Sequence, residues 1–505
     1  MLLTAKQRRA RQKLNNIFLK VRHEELVSAL WAVHALQSRR VAQGRAMLKS
    51  FPPEAATSDL RSKFAIYPWR IETLINEMLA APEGKATALD RTRFDPQHFG
   101  VIANISNKLY AVELADDEVK LNGGIHILNE MHRLFQKQYE WQSGFSTYPN
   151  LYRAGFLYGG QLARAAFNEE VGVDIDLFSE TVFKLFAAFR FSPAVTVSGG
   201  IYGVDAEKSR LILERISLSH RKAVLMSREL RDWKAHVSYR RSLLRQWPIL
   251  RFGNRYHCPL PDLLSLRIGS GLYYDIVAKS GSVRNEISNN FEIYVRSLLE
   301  KAFFPKLPAK NTYRFKKNVI DAPDVIIEDG GKVAIIGECK ATRMSFEALF
   351  AEKPVEQAAR GYNEIIKGIT QIWVYFAHCR LGLTGRELAD DAVGVVLTLE
   401  PWLMTANLMQ DEVVAKAQEE FARKFPEYLD TDRIPISFCP VSELEVVVSL
   451  ASKDSLIGSL RAATNEKFKG YHLSTVHKET FPQVNERRPY PFLGELPKVW
   501  SWWDK

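Results

Sequence analysis

Residues 323–340 read Pro-Asp-Val-Ile-Ile-Glu-Asp-Gly-Gly-Lys-Val-Ala-Ile-Ile-Gly-Glu-Cys-Lys, two apolar runs on either side of Asp329-Gly330-Gly331. A two-residue turn with positive φ at both central positions is open to few residues besides glycine, asparagine and aspartate, so this stretch predicts a β-hairpin. Its strands are Val325–Glu328 and Lys332–Lys340. Side chains alternate along a strand, which sets Glu338 and Lys340 on one face and Cys339 on the other. Asp324 opens the first strand. With the turn at 329–330 or 330–331 it pairs near residues 335–337, one to three positions from Glu338, and strand twist can bring the two carboxylates together. Charge at the ends of strands otherwise built from Val, Ala and Ile is costly unless it is paired or holds a metal.

The surroundings of the hairpin read as α/β. An amphipathic helix is expected over residues 287–303, with Ile287, Phe291, Val295, Leu298, Leu299 and Phe303 on one side. Thr312–Ile320 reads as a strand before the hairpin. A helix over 354–369 follows, with Pro354 at its first position, then apolar strands Ile372–Phe376 and Val393–Leu399. The expected order is α-β-β-β-α-β-β. Upstream the periodicity is helical, with breaks at Phe51-Pro52-Pro53 and Trp247-Pro248. These patterns divide the chain into a basic, mainly helical region (1–250), a junction (251–283), an α/β unit (284–400) and a C-terminal extension (401–505). The extension's tail, with Trp500, Trp502 and Trp503, is expected to pack onto the body.

Lys plus Arg is 69 against 58 Asp plus Glu, a net charge of +11. The excess is clustered: residues 1–50 and 215–255 each carry 11 basic against two acidic residues, or +9 apiece. Solvated helical faces and contacts with a polyanion both account for such blocks. For the second block the expected backbone contacts are Arg215, Arg221, Lys222, Arg240, Arg241 and Arg245. The four cysteines are too far apart in sequence for a CxxC zinc pair and suggest a reducing compartment. No 18-residue apolar stretch occurs, so no membrane partner is expected and a cytoplasmic location is. No GxxxxGK[ST] phosphate loop is present.

Two carboxylates beside a lysine suit phosphodiester hydrolysis. Hard oxygen ligands hold Mg²⁺ or Mn²⁺ with positions open for water and phosphate, and an ammonium can orient the water or stabilise the crowded phosphorus centre. The pattern Asp-x13-Glu-x-Lys on a strand–turn–strand resembles the PD-(D/E)xK phosphodiesterases, a superfamily that includes type II restriction enzymes, Holliday-junction resolvases and lambda-type exonucleases. The match covers residues 284–400. The resemblance implies a restriction-endonuclease-like core (α-β-β-β-α-β) carrying a large, mainly α-helical N-terminal region. It implies metal ligation by Asp324, Glu338 and the Cys339 backbone carbonyl, and positioning of water by Lys340. It also implies an acidic residue on the first core helix, here Glu292, and a glutamine after the lysine, either Gln357 (with Tyr362) or Gln371. The activity expected from it is a Mg²⁺-dependent endo- or exonuclease on DNA in restriction or anti-phage defence, assisted by a partner protein of that system. A dimer or larger homo-oligomer is expected, because two strands need two sites. An RNA-cleaving enzyme with the same core, and a non-catalytic nucleic-acid-binding or assembly protein with a vestigial one, are the alternatives.

Overall fold

Gly330 (φ 58°) and Gly331 (φ 81°) both take the left-handed conformation, closing a two-residue turn between Asp329 and Lys332. In this computed structural model the hairpin therefore joins antiparallel strands Val325–Asp329 and Lys332–Lys340, in a register that sets Val325 opposite Gly337 and Ile326 opposite Ile336. The structure describes residues 3–504 except 83, 85–86, 123–126, 198, 233–234 and 277–280. Lys332–Lys340 also pairs, in parallel, with Leu388–Thr398, which pairs in parallel with Ile436–Pro440. The result is a four-stranded mixed sheet in which Lys332–Lys340 is an inner strand, buried from Val333 through Cys339. A parallel pair needs a long crossover. The helix Ala359–Arg380 provides it.

The pleat sorts the sheet's side chains into two cores. Val325, Ile327, Ile335 and Cys339 share one with Phe291, Val295 and Leu298 of the helix Gly281–Ala302 and with helix Val441–Leu450. Ile326, Ile336 and Val396 share the other with Ile365, Ile369, Ile372 and Trp373 of Ala359–Arg380 and with helix Asn407–Lys424. Glu338 and Lys340 have the parity of Ile336, so they face Ala359–Arg380. Cys339 lies on the opposite face with the first helix.

Two expected strands take other forms. Ile372–Phe376 lies inside the helix Ala359–Arg380, because Ile365, Ile366, Ile369, Ile372 and Trp373 continue one helical stripe past residue 369. Thr312–Ile320 folds back at Lys316 (φ 55°) into the ribbon Thr312–Phe315/Asn318–Asp321. The order from residue 281 is thus α-β-β-β-β, two short helical turns, then α-β-α-β.

A small sheet is formed by Ala194–Thr196 and Ser217–Ser219, in a stretch expected to be helical, with Ile249–Phe252 and Arg255–His257 after the Trp247-Pro248 break. Residues 251–276 are packed between two cores. Leu260, Leu263 and Leu266 join the core built on helices 5–115, while Leu264, Ile268, Leu272 and Ile276 join the one under the sheet. The tail is anchored by Trp500, whose indole N–H donates to the Leu151 carbonyl at 2.9 Å, and Trp502 is buried beside it. No helix among the described residues is long and apolar enough to cross a membrane.

Valine at Gly331 would force a β-branched residue into the left-handed region. Gly331→Val is expected to destabilise the fold by about 1–2 kcal/mol, read as a lower denaturation midpoint, whereas Gly331→Asn should stay close to wild type.

Candidate active site

Asp324 stands one residue before the hairpin's first strand, so the observed register carries it across from Glu338. It is 4% exposed. One carboxylate oxygen accepts the Cys339 backbone N–H at 2.9 Å and the other accepts the Lys310 ammonium at 2.5 Å. Arg296, on the helix Gly281–Ala302, donates to the Asp324 and Pro308 carbonyls at 2.8 Å each, which ties the loop before the strand to that helix. The same helix brings Glu292, whose carboxylate accepts Lys310 at 2.8 Å. Lys310 thus bridges two acidic groups from different elements.

Glu338 and Lys340 lie together as strand alternation requires, with the Lys340 ammonium 3.1 Å from the Glu338 carboxylate. The ammonium also donates to the Gln371 side-chain oxygen at 2.8 Å. Gln371 comes from the helix Ala359–Arg380, which is able to approach because position 368 is glycine. A Cβ on Gly368 would sit 2.7 Å from Lys340 Cε. Glycine inside a helix is unfavourable by about 1 kcal/mol relative to alanine, and here it leaves space for the lysine.

Burial pushes the Glu338 carboxyl up to about 7; Lys340 acts against this and the Asp324 carboxylate adds to it. Glu292 is raised by burial and then by Asp324, with Lys310 opposing. Against the effect of its own burial, the Asp324 and Glu292 carboxylates hold the Lys310 ammonium above its usual range. Three acidic side chains therefore crowd one pole of the sheet, and the cations answering them are lysines. Among the described residues, no group of three or more His, Cys, Asp or Glu side chains is set to hold a metal ion as it stands; Lys310 and Lys340 lie against the carboxylate oxygens. The donor set itself, hard carboxylates with a nearby backbone carbonyl, has the chemistry of a Mg²⁺ or Mn²⁺ site.

Several residues singled out from sequence lie elsewhere. Gln357 is exposed in the short turn Pro354–Gln357 and accepts the Lys353 backbone N–H at 3.2 Å, because the helix carrying the site starts only at Ala359. Tyr362 is buried in the core against Trp402. In the basic block, Arg215 pairs with Asp275 and Glu170, Arg240 with Glu77, and Arg245 with Glu72 and Glu140. These three arginines are matched by carboxylates from other elements of the chain. Arg221, Lys222 and Arg241 are exposed. Lys310, Arg296 and Gly368 were not anticipated. Lys310 lies in a loop without periodicity, and Gly368 could have been noticed as a glycine inside a helical stripe.

Comparison with protein-family models, with curated proteins and with solved structures yields no match.

Glu338 gives a pH signature. Its carboxyl ionises near 7 when folded and at the ordinary value of 4.5 when unfolded. Between those values the folded state holds the extra proton, so this group's stabilising contribution is complete below pH 4.5 and is lost as pH rises to 7. In chelator, the melting temperature of Glu338→Gln relative to wild type should therefore rise across this window. A difference that is flat with pH would refute the assignment.

Proposed function

We propose that the chain is a metal-dependent nuclease that hydrolyses DNA phosphodiester bonds at the Asp324–Glu338–Lys340 site. The observation that carries this reading is that Glu338 and Lys340 share a face, Asp324 lies across the hairpin from them, and Gln371 holds the lysine. Asp324, Glu338 and the Cys339 carbonyl would hold the cation, with Glu292 beside them. Bound there, Mg²⁺ would neutralise the scissile phosphate and make its water more acidic.

The remaining roles belong to the protein's own side chains. Lys340, fixed between Glu338 and Gln371, presents a donor to the attacking water or to a phosphate oxygen. Water adds its oxygen to phosphorus as the bond to the leaving sugar oxygen breaks, and the departing oxygen takes a proton. Lys310, which here holds Asp324 and Glu292, would be free to meet a neighbouring phosphate if a cation took its place on those carboxylates. The polyanion itself would run along the ribbon 312–321, which starts just after Lys310 and ends just before Asp324. Arg314 and Lys317 are exposed on it. A two-stranded ribbon fits the DNA major groove, and its lysines and arginines would add a salt-dependent share of affinity.

The test is a cleavage panel of duplex DNA, single-stranded DNA and structured RNA, with Mg²⁺, Mn²⁺ or chelator. Metal-dependent cleavage of DNA is expected, falling by roughly 10²-fold or more in Asp324→Ala and Lys340→Ala. Gly368→Ala should fold at least as stably as wild type yet cleave at least tenfold more slowly, since the added methyl displaces Lys340 rather than the backbone. Cleavage of RNA alone would reassign the substrate. Undiminished cleavage in Asp324→Ala and Lys340→Ala would remove the active-site assignment.

A further inference from the structure

A cavity of about 580 Å³ opens between the helical region and the sheet, away from the carboxylates described above. Its walls come from helix Ile127–Ser143, from residues 240–246 and 266–275, and from the segments that leave the sheet at Arg343–Phe350 and Leu399–Pro401. The volume falls within the range of small-molecule sites, roughly 300–1,000 Å³.

The wall is charged far inside the protein. Glu72 is fully buried, and Arg245 spans it and Glu140, with a 2.9 Å bond to Glu72. Arg343, buried, pairs with Glu400. Lys137 lines the same cavity at 5% exposure, and its ammonium has no hydrogen bond or ion pair among the described residues. Arg245 Nη2 is also buried without a partner. Burial holds the Lys137 ammonium below its usual range, with Glu72 acting against this, so an anion bound beside it would favour its charged form. Most of the other cations on this wall are already matched: Arg153 by Glu445, Arg215 and Arg267 by Asp275, Arg240 by Glu77. Lys137, and Arg241 at the rim, are left over, together with the exposed Glu347 carboxylate on the same lining. Phe346 and Phe350, half-buried with ring centroids 5.2 Å apart, add an aromatic edge to the same wall.

We propose that this cavity is a binding site for a mononucleotide-sized phosphate monoester. A phosphate monoester carries about −1.5 to −2 charges and offers several acceptor oxygens, enough for Lys137, Arg241 and the unpartnered Arg245 Nη2 together. The aromatic edge would take a planar base. A monocarboxylate has only two acceptor oxygens for these three groups, and a purely apolar ligand has none. The site stands independently of the nuclease reading, since none of its residues belongs to the Asp324–Glu338–Lys340 set.

The experiment is isothermal titration calorimetry of the full chain in chelator, with AMP, GMP, CMP, UMP, adenosine and inorganic phosphate as separate titrants. At least one mononucleotide should bind saturably. Inorganic phosphate and adenosine should each bind at least tenfold more weakly than that mononucleotide. Asp324→Ala should bind as wild type does, which separates this site from the acidic one. Lys137→Met, which removes a buried charge without changing the shape much, should fold at least as stably and bind at least tenfold more weakly. Arg241→Ala, at an exposed position, should weaken binding as well. Absence of saturable binding by all four mononucleotides at millimolar concentration would overturn the proposal. So would equal affinity for inorganic phosphate, or wild-type affinity in both Lys137→Met and Arg241→Ala.

Discussion

The strand Lys332–Lys340 is covered on both faces, yet its last turn of alternation brings a carboxylate and an ammonium into the layer beneath the helix Ala359–Arg380. A charge in such a place must be answered locally, because solvent cannot answer it. Glu338 is answered by Lys340, Lys340 also by Gln371, and Asp324 by Lys310 and a backbone N–H. The surroundings are arranged around that requirement. The hairpin turn sets the register, the first helix braces the loop before Asp324 through Arg296, and Gly368 lets the crossover helix come close enough to reach the lysine.

Much of this was legible from residue types. Asp329-Gly330-Gly331 demanded a turn, and alternation put Glu338 and Lys340 together and Cys339 apart. What could not be read were contacts between distant elements. Lys310 and Arg296 reach the site from a loop and from a helix, and no local pattern marks them. The ambiguity at Ile372–Phe376 had a physical cause: a short apolar run satisfies both a buried strand and a helix stripe, and only its continuity with Ile365 and Ile369 separates them. Gln357 and Gln371 differ for the same reason, since the helix that reaches the site starts later and runs further than its proline suggested.

Charge was the least legible feature. The sequence shows a basic block from Arg215 to Arg255, but not that Glu72, Glu77, Glu140 and Asp275 come from other elements to meet several of its arginines. Ion pairs draw Arg215, Arg240 and Arg245 into the wall of a cavity, while Arg221, Lys222 and Arg241 of the same block stay exposed. The exposed charge beside the acidic site sits instead on the ribbon 312–321, which in sequence looked like one plain strand.

The central claim is that Asp324 and Glu338 jointly hold a divalent cation while Lys340 serves the chemistry and not the binding. The most direct measurement is a calorimetric titration of Mn²⁺ into wild type, Asp324→Asn, Glu338→Gln and Lys340→Met. The account predicts saturable binding to wild type, weakened at least tenfold in each carboxylate variant and retained in Lys340→Met. Saturable binding that is unchanged in both Asp324→Asn and Glu338→Gln, or no binding to wild type at all, would contradict it.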